Sequence, residues 1–366
     1  MDRRSLLSSA AVLGAAALVG CSRDDDPEPR PTTPTAPSLT EATDGDWSSL
    51  DIAGTVATGL NVPWGIAFLS DGSALVSQRD EASVVRIGTD GDIDDLGTVP
   101  GLRTGGEAGL LGIALDPADA EVLFAYVTTG SDNRVVRMSV ADGRLGRPDP
   151  ILTGIPVGGR HHGGRLLFAP DETLFVATGD AGNGDLAQDR GSLGGKILRL
   201  TRDGKAADDN PFDNRTWSYG HRNVEGLAFD ADGRLWASEF GDKKSDELNL
   251  IRRGGNYGWP QVEGTGGGED LVDPLATWGT DDASPAGLAI ARSTAFLGAL
   301  QGECVWAVPL DGEKAGEPAR FLEGHGRIRN VVAAPDGSLW VTTSNTDGRA
   351  NPKDGDDRIL RVAFAA

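Results

Sequence analysis

The chain has 366 residues, 39% of them hydrophobic and 52 of them glycine. That suffices for one large or two ordinary domains, and without a Gly-X-Y period the glycines read as turns between many short strands. A net charge of -21 argues against nucleic acid as a partner, because holding phosphates needs a basic surface.

At the amino end, Arg3-Arg4 leads an apolar run from Leu6 to Val19 that closes Leu18-Val19-Gly20-Cys21. The run is too short to span a bilayer and has the layout of a signal peptide. Its end resembles a bacterial lipobox, so residues 1–20 are expected to be removed and Cys21 to be the lipidated first mature residue. Arg3-Arg4-Ser5-Leu6-Leu7 also resembles a twin-arginine export signal, the alternative being a general secretory signal with chance arginines. Residues 21–46 are acidic and rich in Pro and Thr, bury too little to fold, and read as a disordered tether. The expected location is extracytoplasmic, held at the bacterial membrane by the lipid alone. With Cys21 so used, Cys304 is expected to be a small buried hydrophobe.

From Trp47 onward one phrase repeats: Gly-(Ile/Leu)-Ala-apolar, often Asp-Gly, a strand of alternating apolars, a polar loop, then a strand carrying Arg. Copies begin at Gly65, Gly112, Gly164, Gly226, Gly287 and Asn330, spaced 47, 52, 62, 61 and 43 residues apart. Second strands are expected at 74–77, 122–127, 174–177, 235–238, 295–298 and 339–342. Third strands are expected at 84–87, 135–138, 197–200, 248–251, 305–308 and 359–362. A four-strand repeat of this length is a propeller blade, and six copies predict an all-β, six-bladed β-propeller over residues 47–366. A pair of β-sandwiches or another β-solenoid is the competing arrangement. Leu50–Ala57 is expected to pair with the last blade, since an open ring would leave a bare sheet edge.

In such a ring the loops into the innermost strands and the loops between second and third strands open on one face. The four histidines (His161, His162, His221, His325) and Arg222, Arg327 and Arg329 all fall in the first set. This predicts one polar, arginine-rich mouth at the axis. Arg327 and Arg329 alternate on an extended segment and point the same way. With Arg222 they suit an anionic, planar polycarboxylate; internal salt bridges to Glu107, Asp180 or Asp242 are the other possibility. His161 is the best general base available, and Asp180 could fix its tautomer. His162 and His221 are assigned structural roles. Asp242, Asp246 and Glu247 surround Gly241 and include calcium-type ligands, although such carboxylates alone also make solvated loops. No HExxH, CxxC, Walker or GxSxG pattern occurs, leaving zinc peptidase, phosphate-loop and serine hydrolase chemistries without support.

The phrases Pro63-Trp64-Gly65, Gly109-Leu110-Leu111-Gly112, His161 to Arg165, Thr178-Gly179-Asp180, Gly195-Lys196-Ile197-Leu198-Arg199, Tyr219 to Asn223, Asp246 to Ile251, Gly255 to Pro260 and Arg327-Ile328-Arg329 resemble together the soluble PQQ-dependent aldose sugar dehydrogenases, the glucose/sorbosone dehydrogenase family. The resemblance covers residues 60 to 362. It implies a six-bladed propeller that oxidises an aldose with PQQ and calcium. It implies His161 as the catalytic base for the anomeric hydroxyl and Asp180 as its acidic partner. Arg222 and Asn223 would contact the quinone, and Arg327 and Arg329 would grip the cofactor. The carbonyls of Gly241 and Asp242 would hold one calcium ion, and Glu247 and Tyr257 a second. The sequence departs from the family pattern at Gln301, where a cofactor-binding lysine aligns, and at Glu107 and Asp185, where glutamines near the substrate align. The sugar substrate, through its class, follows from the resemblance; the electron acceptor does not. A non-catalytic cell-surface propeller that has lost PQQ, and a lactone hydrolase on a similar ring, are the alternatives carried forward.

Overall fold

The computed structural model describes residues 47–364; the leader, Cys21 and the tether lie outside the described residues. The described chain folds as six small antiparallel sheets, each a blade of a six-bladed β-propeller. Blade 3 is typical: Gly163–Phe168 lies innermost, followed outward by Leu174–Thr178, Lys196–Leu200 and Thr216–Tyr219. The expected second and third strands are all present, most longer by one or two residues at an end. Blade 6 takes its outermost strand from the other end of the fold: Leu50–Ala57 pairs antiparallel with Ile359–Phe364, Leu50 opposite Phe364 and Ala57 opposite Ile359. This is the closure the sequence predicted, and it hides the edge of the last blade.

The repeated glycine has a steric cause. A Cβ at Gly112 would lie 2.2 Å from the Gly164 carbonyl oxygen, and one at Gly65 2.8 Å from the Ile113 amide. One at Gly226 would lie 2.5 Å from the Ala286 carbonyl oxygen, and one at Gly287 1.9 Å from Oδ1 of Asn330. These are contacts between innermost strands of neighbouring blades. The chain needs glycine there because backbone meets backbone around the axis. Asn330 fills the corresponding place in blade 6 and donates its amide to the Trp64 carbonyl of blade 1 at 3.1 Å. Ser77, Ser238 and Thr342 likewise donate hydroxyls to carbonyls of the next blade.

The apolar residues divide into six clusters, each filling one gap between adjacent blades. Trp64, Phe124, Tyr126, Leu166 and Val176, for instance, pack mainly between blades 2 and 3. The Asp-Gly and Asp-Glu turns and the arginines of the repeat belong together. Asp71, Asp171 and Asp336 each accept from a Ser or Thr two residues on and pair with Arg86, Arg199 and Arg361 of the third strand. Such exposed pairs contribute about 0–1 kcal/mol each, so they shape the turn more than they stabilise the ring.

Candidate active site at the ring axis

One cavity of about 390 Å³ opens at the axis, lined from blades 2 to 6. Its wall includes Glu107, His161, Arg222, Asn223, Gln301, Arg327 and Arg329, residues separated by up to 222 positions in the chain. The size falls within the range of about 300–1,000 Å³ typical of small-molecule sites.

His161 sits in the left-handed backbone region, φ 59°, a conformation uncommon for a residue with a side chain. The loop holds it there by two bonds: its amide donates to Oε2 of Glu107 at 2.6 Å, and its carbonyl accepts from the Ala181 amide at 3.2 Å. Gly179 permits the approach, since a Cβ there would lie 2.0 Å from that carbonyl oxygen. The ring Nδ1 lies 2.6 Å from Oδ1 of Asp180. Asp180 also accepts from the Gly182 amide at 2.7 Å and from the Trp259 indole at 2.8 Å. Burial works to raise the Asp180 carboxyl, but these donors, His161 foremost, outweigh it and hold the group below the usual aspartate range. An ionised Asp180 accepts, so Nδ1 of His161 carries a proton, and in the neutral ring the lone pair is therefore on Nε2. Nε2 takes no hydrogen bond from any described residue.

The arginines answer both possibilities left open by the sequence. Each has an internal partner: Arg222 pairs with Asp242 at 3.0 Å, Arg327 with Asp347 at 3.0 Å and Arg329 with Glu225 at 2.6 Å. Yet all three line the cavity, and Nε of Arg222 and of Arg329 is buried without a hydrogen-bond partner among the described residues. Buried donors of this kind are normally satisfied, so the pair marks a place where an acceptor belongs. Arg222 also lies over the Trp259 ring, 5.4 Å from its centroid, so one indole contacts both Arg222 and the carboxylate that orients His161.

Sequence reasoning missed three residues here. Glu225 is buried at the cavity wall and takes Arg329 and the Asn223 amide on its two oxygens. Burial lifts its pKa, more than Arg329 and Arg165 pull it down. Asp347, buried between Arg327 and Arg329, is held below the usual range because those two guanidinium groups outweigh its burial. Trp259 stood in a quoted phrase but had no role. The position of Glu225, two residues beyond Asn223 on an innermost strand, was the available signal: alternate residues face the same way.

The remaining expected residues separate. Gln301 lines the cavity. Asp185 does not: it begins the short helix Asp185–Gln188, and its side chain is exposed. The four histidines do not share one mouth. His162 is buried behind His161, with Nδ1 3.0 Å from Asn133, and burial pulls it down to about 4. His221 is buried between Ser218 and Glu239 and stacks on Tyr257. His325 lines a neighbouring cavity. His161 and His162 lie in the loop just before Gly163–Phe168, and their rings go to different partners, Asp180 and Asn133.

Around Gly241 no three or more His, Cys, Asp or Glu side chains gather as a metal site among the described residues. The Asp242 carboxylate is taken by Arg222. The carbonyls of Gly241, Asp242 and Tyr257 accept no hydrogen bond from described residues. Glu247 is driven upward by burial and by Glu239 beside it, and Oδ1 of Asn249, within reach of both carboxylates through its amide, is buried and unpartnered. Acceptors without donors and a crowded buried carboxylate pair suit a hard cation.

The family model described as Glucose / Sorbosone dehydrogenase matches residues 60–359. A structure of the PQQ-bound aldose sugar dehydrogenase from Streptomyces coelicolor is 51% identical, covers 86% of this chain and 97% of that one, and superposes with a TM-score of 0.84. An aldose sugar dehydrogenase of Escherichia coli is 32% identical over 79% of this chain and 89% of its own length. Quinoprotein glucose dehydrogenase B of Acinetobacter calcoaceticus is 29% identical over 71% of this chain and 61% of that protein.

Proposed function

Since this chain belongs to the glucose/sorbosone dehydrogenase family, we propose that it oxidises the anomeric hydroxyl of an aldose to the lactone, with PQQ as hydride acceptor. The observation that carries this is a lone imidazole, oriented by a buried carboxylate, facing a cavity walled by arginines from blades 4 and 6. PQQ, when bound, supplies the quinone that accepts two electrons. The residues fit it. Arg222, Asn223, Arg327 and Arg329 would hold a tricarboxylate, and the two orphan Nε donors are placed among them. Nε2 of His161 takes the proton of the anomeric hydroxyl. Asp180 fixes the tautomer that makes this possible and stabilises the imidazolium that results, as the acid of a Ser-His-Asp triad does. Glu107 and Gln301 complete the wall where the sugar would sit.

Calcium belongs to the same reading. The free carbonyls of Gly241 and Asp242 would hold one ion beside the arginine wall, and Glu247 with the Tyr257 carbonyl a second. The set His161, Asp180, Arg222, Asn223, Arg327 and Arg329, complete in this chain, favours this reading over a propeller that binds without catalysis.

The test is to mix purified apo-protein with PQQ and calcium, add a panel of aldoses and follow reduction of an artificial dye. Turnover is expected, lower when calcium is omitted. His161→Ala should reduce kcat by about 10²-fold to 10⁴-fold with the fold retained. No turnover with any aldose retires the proposal, and an active His161→Ala means that another group is the base.

The same reading puts the enzyme outside the cytoplasm on a lipid at Cys21, a position supported by the sequence alone. Expressed at full length in a bacterium, the chain should fractionate with membranes and be released by detergent, and Cys21→Ser should move it to the soluble fraction. An unchanged distribution would contradict the anchor.

A further inference from the structure

A second cavity, about 510 Å³, adjoins the axial one. Arg349 lines both. Asn345 stitches the partition: its Oδ1 accepts from the Arg327 amide at 2.9 Å, and its amide donates to the His325 carbonyl at 3.0 Å. The reading above makes no use of this space.

Its charge runs against that of the whole protein. Three cations line it, Arg349, Lys353 and Arg358, with two carboxylates, Glu303 and Asp356. Asp356 is consumed: it takes Arg358 at 2.9 Å, the Asn345 amide at 3.1 Å and the Lys353 backbone amide at 2.8 Å. Glu303 is exposed at the rim. The Lys353 ammonium has no carboxylate within salt-bridge distance among the described residues, and Arg349 has only Glu107, at 3.6 Å. Lys353 is thus without a carboxylate, and Arg349 holds a single long pair, in a chain of net charge -21. Beside them are the Asn351 amide and the His325 imidazole, groups that suit hydroxyls.

Resting on the dehydrogenase reading for the axial cavity, we propose that the second cavity binds the non-reacting end of a longer substrate, a glycosyl unit bearing a carboxylate. The reducing end of an acidic oligosaccharide sits at His161, the chain passes Arg349, and the carboxylate of the next sugar meets Lys353.

Methyl β-D-glucuronide tests this directly, because it has no free anomeric hydroxyl and cannot be oxidised. Calorimetric titration, with and without PQQ, should show saturable binding, weakened about five-fold by Lys353→Gln. Methyl β-D-glucoside should bind about ten-fold more weakly than the glucuronide. In the loaded enzyme, glucuronosyl-(1→4)-glucose should exceed cellobiose in kcat/KM by about five-fold. Lys353→Gln should erase that advantage and leave glucose oxidation unchanged. No glucuronide binding, or binding indifferent to Lys353, overturns the assignment. Lys353-dependent glucuronide binding without turnover of any sugar would retire the dehydrogenase reading and leave the second cavity standing.

Discussion

The imidazole of His161 is set by three contacts rather than by burial alone. Glu107 holds its backbone, Asp180 holds its ring, and Trp259 holds Asp180. Replacing Asp180 by Asn keeps size and shape but removes the charge, and the amide can turn its NH₂ towards Nδ1. The proton then shifts to Nε2, the atom that has to accept one. Asp180→Asn should therefore lower kcat by about 10²-fold to 10⁴-fold while KM for the sugar changes little, measured in the dye-linked assay. An unchanged kcat would mean that the carboxylate only props the loop. The pair was legible in the sequence because both residues lie on loops of one repeat. Glu225 was legible only in its facing, two residues beyond Asn223; its pairing was not, because its partner Arg329 lies 104 residues away across the ring.

At the scale of the strand and its loop, the repeat shows why the fold was legible and the site only partly so. The apolar alternation and the glycine at each copy are consequences of packing, so they recur and can be counted. Gly287 shows the constraint: a side chain there would run into Asn330 of the next blade, its Cβ 1.9 Å from Oδ1 and 2.7 Å from Cα. Gly287→Val should destabilise the fold by about 1–3 kcal/mol, read as a lower urea midpoint; an unchanged midpoint would mean that the blades slide apart freely. Loops carry no such period. The Gly195-Lys196 phrase was quoted as a likeness without a cause. The structure gives one: the Lys196 ammonium, wholly buried, donates to the carbonyls of Leu186, Ala187 and Gly194 at 2.7–3.0 Å. It seats the helix that follows the Asp180 loop, and burial pulls it down to about 8. The same helix exposes Asp185, which the family resemblance sets near the substrate. A one-residue difference in facing cannot be read from a short loop. It also separates His161 from His162.

The whole ring explains why the charges can be where they are. An acidic chain keeps Arg165, Arg222, Arg327 and Arg329, among others, buried near the axis, each beside a carboxylate or a carbonyl from another segment. Breaking a buried ion pair leaves an uncompensated charge, at a cost of about 3–5 kcal/mol, so closure of the ring and assembly of the site are coupled. Leu50–Ala57 at one end and Ile359–Phe364 at the other complete the wheel, and residues from five blades form one wall. The most direct measurement is a titration of the calcium-supplemented apo-protein with PQQ, followed by its absorbance, for the native chain and for Arg222→Ala, Arg327→Ala and Arg199→Ala. One equivalent of PQQ should bind per chain, at least about ten-fold more weakly in the two axial variants, as expected for losing a charge-assisted contact, and unchanged in Arg199→Ala on the third strand of blade 3. No saturable binding, or axial variants that bind PQQ as the native chain does, would contradict the account.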